Sequence, residues 1–192
     1  MPTNSNSSDP DHPPAETLHD FNGTLRWSVA SVQSRYLNHC QQLGIKEPEV
    51  PRPRTHTEGK ECWVYPIMDS VIAGIKKGDK ACIELGVEFL DRRRAFPFGK
   101  ILKSNTALEL RRAELSPQQI ARLRDRIVKL LDGNVPREFQ QYARLLRRIG
   151  LGNLWPIIEQ EVKRDNPYVM RYYGYLWLHA STRKQTGDDS SG

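Results

Sequence analysis

An all-α protein of stacked antiparallel helical hairpins is what this sequence predicts. Three observations carry that reading. Apolar residues recur at three- and four-residue steps through most of residues 25–178. Gly, Ser-Pro and Asn-Pro signals cut the pattern at ordinary helix lengths. No segment sustains the two-residue alternation of a half-buried strand. An irregular helical bundle is the other way to assemble the same elements.

The first helix is marked by Leu25, Val29, Val32, Tyr36, Cys40 and Leu43, and Gly44 closes it. Residues 45–61 hold three prolines and many charges without a period, so an extended, polyproline-like linker is expected. A second helix shows Ile67, Val71, Ile72 and Ile75. Gly78 ends it, and Asp79 caps a third with Ile83, Val87 and Leu90. The stretch AFPFGK (95–100) interrupts. Leu108 and Leu110 mark a helix starting at Thr106, with Glu109 completing a capping box.

Ser116-Pro117-Gln118-Gln119 is a stronger start: a Ser cap, Pro at the first helical position and Gln at the third. That helix carries Ile120, Leu123, Ile127 and Leu130 and stops at Gly133. Asn134 and Pro136 open another, with Phe139, Tyr142, Leu146 and Ile149, ending at Gly150. Asn153 is placed to cap a helix with Ile157, Ile158 and Val162. Asn166-Pro167 opens the last, with Val169, Met170, Tyr173, Leu176 and Trp177 toward the core.

The domain plan that follows has five parts. Residues 1–20 and 181–192 are tails whose composition cannot repay ordering. Residues 21–44 are an N-terminal helix, 45–61 the linker, and 62–180 the helical-repeat domain. No apolar run is long enough for a bilayer span, so no membrane partner is expected. The first thirty residues lack the features of a secretory signal. Cys40, Cys62 and Cys82 are odd in number and unpaired by spacing, which fits a reducing, cytoplasmic setting.

Two stretches align without a gap at an offset of 55 residues: KKGDKACIELGVEFLDRR (76–93) and LDGNVPREFQQYARLLRR (131–148). Gly78 matches Gly133, Leu90 matches Leu145, and Arg92-Arg93 match Arg147-Arg148. A third unit, LWPIIEQEVKRDNPYVMRYYGYLWL (154–178), turns at Asp165-Asn166-Pro167 and carries Val169 and Arg171 after the turn. This unit resembles the HEAT repeat, a helical hairpin with an Asp-x-x-Pro turn and Val-Arg in its second helix. Met170 separates Val169 from Arg171, a departure from the adjacent pair. The resemblance implies an α-solenoid and a binding or adaptor role. On this pairing the segment 95–115 is an insertion or an extra helix. Some similar helical-repeat proteins act on nucleic acid, so the resemblance also admits an enzyme of that kind.

The net charge is +6, and its distribution matters more. Between Arg92 and Arg148 lie 15 Lys/Arg and 5 Asp/Glu, a local charge of +10. Arg122, Arg126 and Lys129 share one helix face, and Arg144, Arg147 and Arg148 lie together on the next helix. Packed as a hairpin, these faces would form one surface for phosphate oxygens. A solvated helix face explains the same residues without a ligand. Arg92, Arg93 and Arg94 suit a helix C-terminus. Phe96, Phe98 and Lys100 belong to a loop that aromatic residues pin to the core. Glu84, Glu88 and Asp91 lie on one helical face, where paired carboxylates can do acid–base work or hold a metal, but a solvated acidic stripe, open to the basic helices of a neighbour, is the reading expected.

His39, Cys40, His56 and Cys62 match no zinc spacing, so neither a metal nor a cofactor is expected. Tyr168, Tyr172 and Tyr175 form a second candidate surface, of the kind used at protein interfaces. The function expected is therefore non-catalytic: an adaptor engaging a protein partner. A nucleic-acid-binding protein using the basic face is the alternative.

Overall fold

The structure, a computed structural model, describes residues 17–91, 98–132 and 139–185. Its helices are α1 (Val29–Gln42), α2 (Ile67–Lys77), α3 (Lys80–Asp91), α4 (Gly99–Leu110), α5 (Pro117–Val128), α6 (Phe139–Ile149), α7 (Trp155–Glu161) and α8 (Pro167–Gln185). Three short strands, β1 (Thr17–Asp20), β2 (Thr55–Glu58) and β3 (Glu61–Val64), make one small sheet. The mostly helical class expected from periodicity is the class observed.

Several local signals act where they stand in the chain. Ser116 and Gln119 form a reciprocal capping box at the start of α5. Asp79 accepts the backbone N–H groups of Ala81 and Cys82 at 2.8 and 3.0 Å, opening α3. Asn166 does the same for Tyr168 and Val169 at 3.0 and 3.4 Å. Gly78, at φ +85°, closes α2 in the left-handed conformation that costs a side-chain-bearing residue most.

The helices stack in two layers. α1, α3 and α5 pack side by side in one, and α2, α4, α6 and α8 in the other. α7 continues the first layer, resting on the 3₁₀ turn Lys129–Asp132 that extends α5. α3, α5 and α7 start at Lys80, Pro117 and Trp155, 37 and 38 residues apart.

α2 and α3 pack on each other across the Gly78 turn, the hairpin read at that glycine. The segment 95–115, expected to be an insertion or an extra helix, contains a helix: α4 packs on α2, α3 and α6. Leu102, Ala107 and Leu110 from α4 lie in the core. The helix also begins at Gly99, a full two turns before Thr106. Thr106 is buried in mid-helix and donates its hydroxyl to the Leu102 carbonyl at 2.8 Å. Glu109 accepts from Arg112 at 3.0 Å instead of capping. The turn residues Gly133, Asn134 and Pro136 lie outside the described residues, as do Arg92, Arg93, Arg94 and Phe96.

The linker and the first tail are also corrected. Thr55–Glu58 and Glu61–Val64 pair antiparallel around Gly59-Lys60, and Thr17–Asp20 adds in parallel to β3. His19 and His56 stack on either side of Trp63, with ring centroids 5.5 and 5.6 Å away. Four-residue strands are too short for alternation to announce them. Asn22, just after β1, caps α2 from afar: its side-chain oxygen accepts the Ile67 N–H at 2.7 Å.

The N-terminal helix is docked. Val32, Tyr36 and Cys40 on α1 are buried, and the helix packs on α3. At the other end, Val169 and Leu176 set the seam of α8 on α6. Tyr173 stacks on Trp155 at 5.4 Å. Trp177, expected in the core, is 46% exposed. Tyr173 already sits at the edge of the Val169–Leu176 seam, and Trp177 lies a further 40° round the helix. Nor does Asn153 cap α7: its N-cap is Leu154, and no side-chain cap bond forms there.

Candidate functional site

The basic residues of α5 and α6 differ in the partners that the fold gives them. α5 and α6 belong to different layers. On α5, Arg122 donates to Glu84 of α3 at 3.0 Å, and Arg126 reaches the Leu90 carbonyl at 3.3 Å. Lys129 pairs with Asp125 one turn back at 2.8 Å. These cations turn along their own layer and meet oxygen already present in the fold. Of the residues expected on one basic surface, Arg122, Arg126 and Lys129 are thus engaged within the fold.

The acidic stripe of α3 holds Arg122 and three groups from the N-terminal segment. Glu84 accepts from Arg122 and from Gln119 at 2.7 Å. Glu88 takes Arg26, Arg35 and His39, the last at 2.9 Å. Burial alone would raise the Glu88 carboxyl, but the His39 and Arg26 hydrogen bonds and the Arg35 charge hold it at about 2. Arg35 also lies 4.4 Å from the Trp27 ring centre. Both carboxylates serve helix docking. Arg35 and His39 sit at i and i+4 on α1, a spacing that marks a shared face and could have pointed to Glu88 from sequence.

α6 and α8 differ from α5 in composition. Neither contains an Asp or a Glu. Arg144, Arg147 and Arg148 project from α6 and are exposed. No carboxylate among the described residues pairs with Arg144 or Arg148. Arg147 turns to α8, where it donates to the Tyr175 hydroxyl at 3.1 Å and lies 5.6 Å from the ring centre. On α8, Tyr168, Arg171 and Tyr175 fall at i, i+3 and i+7 and so share a flank. Tyr168 is 71% exposed and Arg171 is exposed. Tyr172 is half-buried and packs on Phe139 at 4.7 Å. Of the three tyrosines read as an interface, Tyr172 therefore fastens α8 to α6, Tyr175 is half-buried against the core edge, and Tyr168 is exposed. The two candidate surfaces, arginine and tyrosine, meet at Arg147–Tyr175.

A cleft of about 1040 Å³ lies elsewhere, between residues 43–52, α2 and the start of α3. Its floor is satisfied internally. Tyr36 donates to Asp79 at 2.7 Å while the other Asp79 oxygen caps α3. Burial, and then that hydrogen bond, pushes the Tyr36 hydroxyl up, so it stays a donor. Burial likewise pushes the Cys82 thiol up, away from the nucleophilic thiolate. A smaller cleft of about 340 Å³ lies between the α2–α3 turn and the end of α4.

Among the described residues no three His, Cys, Asp or Glu side chains gather as a metal site. His39 is engaged by Glu88 and His56 by Trp63, on different elements. No helix of the described residues is long and apolar enough to cross a membrane. No protein-family model, curated protein or solved structure matches this chain.

Proposed function

We propose that this chain is a non-catalytic binding protein, an adaptor of the cytoplasm, whose working surface is the outer face of α6 and α8. One observation carries the reading: the Arg147–Tyr175 contact joins two acid-free helices into a continuous basic and aromatic face. On α5 the exposed cations Arg122 and Lys129 are met by carboxylates of the fold, Glu84 and Asp125. On α6 the fold leaves Arg144 and Arg148 for a partner, and guanidinium groups suit oxyanions. Tyr and Arg are also the side chains that carry most binding energy at interfaces.

A catalytic reading gains little. Glu84 and Glu88, the carboxylates that acid–base work would use, are each held by neighbouring side chains. The cytoplasmic setting rests on the three cysteines, all free thiols, two of them buried.

Retention on immobilised heparin, a polyanion, tests the reading. The wild-type chain is retained, and Arg144→Gln/Arg148→Gln elutes at distinctly lower salt. Arg122→Gln elutes close to wild type. Wild-type flow-through at low salt, or equal loss from both variants, would remove the α6–α8 face as the working surface.

A further inference from the structure

We infer that the α6–α8 face binds single-stranded nucleic acid, with phosphates on Arg144 and Arg148 and a base stacked on Tyr168. This rests on the reading of that face as the working surface and names its partner. The arginines repeat one turn apart, about 6 Å along α6. They form a row of forked donors along a backbone track. Tyr168 and Tyr175 repeat two turns apart, about 10 Å along α8, with Arg171 between them. Tyr168 is the most exposed ring of the flank at 71% and offers its π-face to any base. Tyr175 is occupied by Arg147, which sets that guanidinium between the arginine row and the tyrosine flank.

An acidic protein segment is the competing partner. A protein hot spot is an anchor seated in a desolvated pocket. The two clefts described above, of about 1040 and 340 Å³, are lined by residues 36–82 and 75–114, away from α6 and α8. The flank presents the exposed Tyr168 ring beside the exposed Arg144, Arg148 and Arg171, the pairing of stacking platform and positive track used for single strands. Duplex binding would engage the arginines but give Tyr168 no free base to stack on.

The test is fluorescence anisotropy with a labelled oligothymidylate of about 20 nucleotides, enough to cross one such platform. A duplex of the same length and a poly-glutamate peptide are titrated in parallel across a salt series. The single strand binds best. Tyr168→Ala weakens it roughly tenfold without changing the salt slope, because stacking carries no charge. Arg144→Gln/Arg148→Gln lowers the slope of log K against log salt by about 1.4, twice the ~0.7 expected per phosphate on a single strand. These side chains are exposed, so unchanged thermal unfolding of both variants excludes misfolding as the cause.

Equal or better binding of duplex, tighter binding of poly-glutamate, or indifference to Tyr168→Ala would each overturn the inference. Heparin retention lost with Arg144→Gln/Arg148→Gln, but no oligonucleotide binding, would overturn it while leaving the face as the working surface. Absence of both would overturn both.

Discussion

The Arg147 guanidinium lies against the Tyr175 ring and donates to its hydroxyl at 3.1 Å, spanning the groove between α6 and α8. The pair is solvent-facing, so its weight is in placement more than in stability. Tyr175→Phe is expected to cost under about 1 kcal/mol in urea unfolding, the usual value of one exposed hydrogen bond. A loss above about 2 kcal/mol would show instead that the hydroxyl holds α8 to the stack.

Glu88 makes the docking of α1 on α3 sensitive to acid. It ionises at about 2 in the fold, against an ordinary 4.5, so folding favours its charged form. That contribution is complete above pH 4.5 and is lost as the pH falls toward 2. Glu88→Gln should lower stability at pH 7 by about 2 kcal/mol, solvent screening allowed for. The difference from wild type should shrink as the pH drops from about 5 to 2. Thermal unfolding across pH measures this, and a constant difference would mean that Glu88 acts through packing alone.

Arg124 closes a helix that is not its own. It donates to the Ile149 and Gly150 carbonyls of the α6 end at 2.6 and 2.7 Å. Helix-end carbonyls lack partners within the helix, and a charged donor supplies two here. Arg124→Gln is expected to cost about 1–3 kcal/mol. Amide hydrogen exchange should speed up most in the last turn of α6. Uniform acceleration over the whole chain would point to global destabilisation only.

Gly74 lets α2 and α3 meet closely beyond their turn. A Cβ there would lie 2.4 Å from the Cys82 sulfur and 3.0 Å from the Cys82 Cβ. Gly74→Ala should therefore destabilise by about 1–3 kcal/mol despite the better helix propensity of Ala. Adding Cys82→Ala removes the nearer atom and should recover part of the loss. Additive losses in the double variant would refute the steric account.

Much of the fold is legible locally. Ser116 with Gln119, Asp79, Asn166 and Gly78 all do in the structure what their spacing announces, since a cap involves partners only two to five residues away. The start of α4 was hidden because Thr106 and Glu109 imitate a capping box inside a helix. There the Thr106 hydroxyl finds the carbonyl four residues back. The three strands were hidden because each is four residues long and is specified by its neighbour across the sheet.

The candidate site follows the same division. By itself, the sequence determined that helices dominate, where most begin and end, and which of their faces are basic or aromatic. Only the tertiary structure decided which arginines have partners within the fold. Arg122 meets Glu84 across 38 positions of chain, while Arg144 and Arg148, on a helix with as many arginines, meet no carboxylate of the described residues. Helix formation depends on contacts three and four residues apart, which composition and spacing record. Pairing between helices depends on which layer each one joins, and that is settled when the whole core packs.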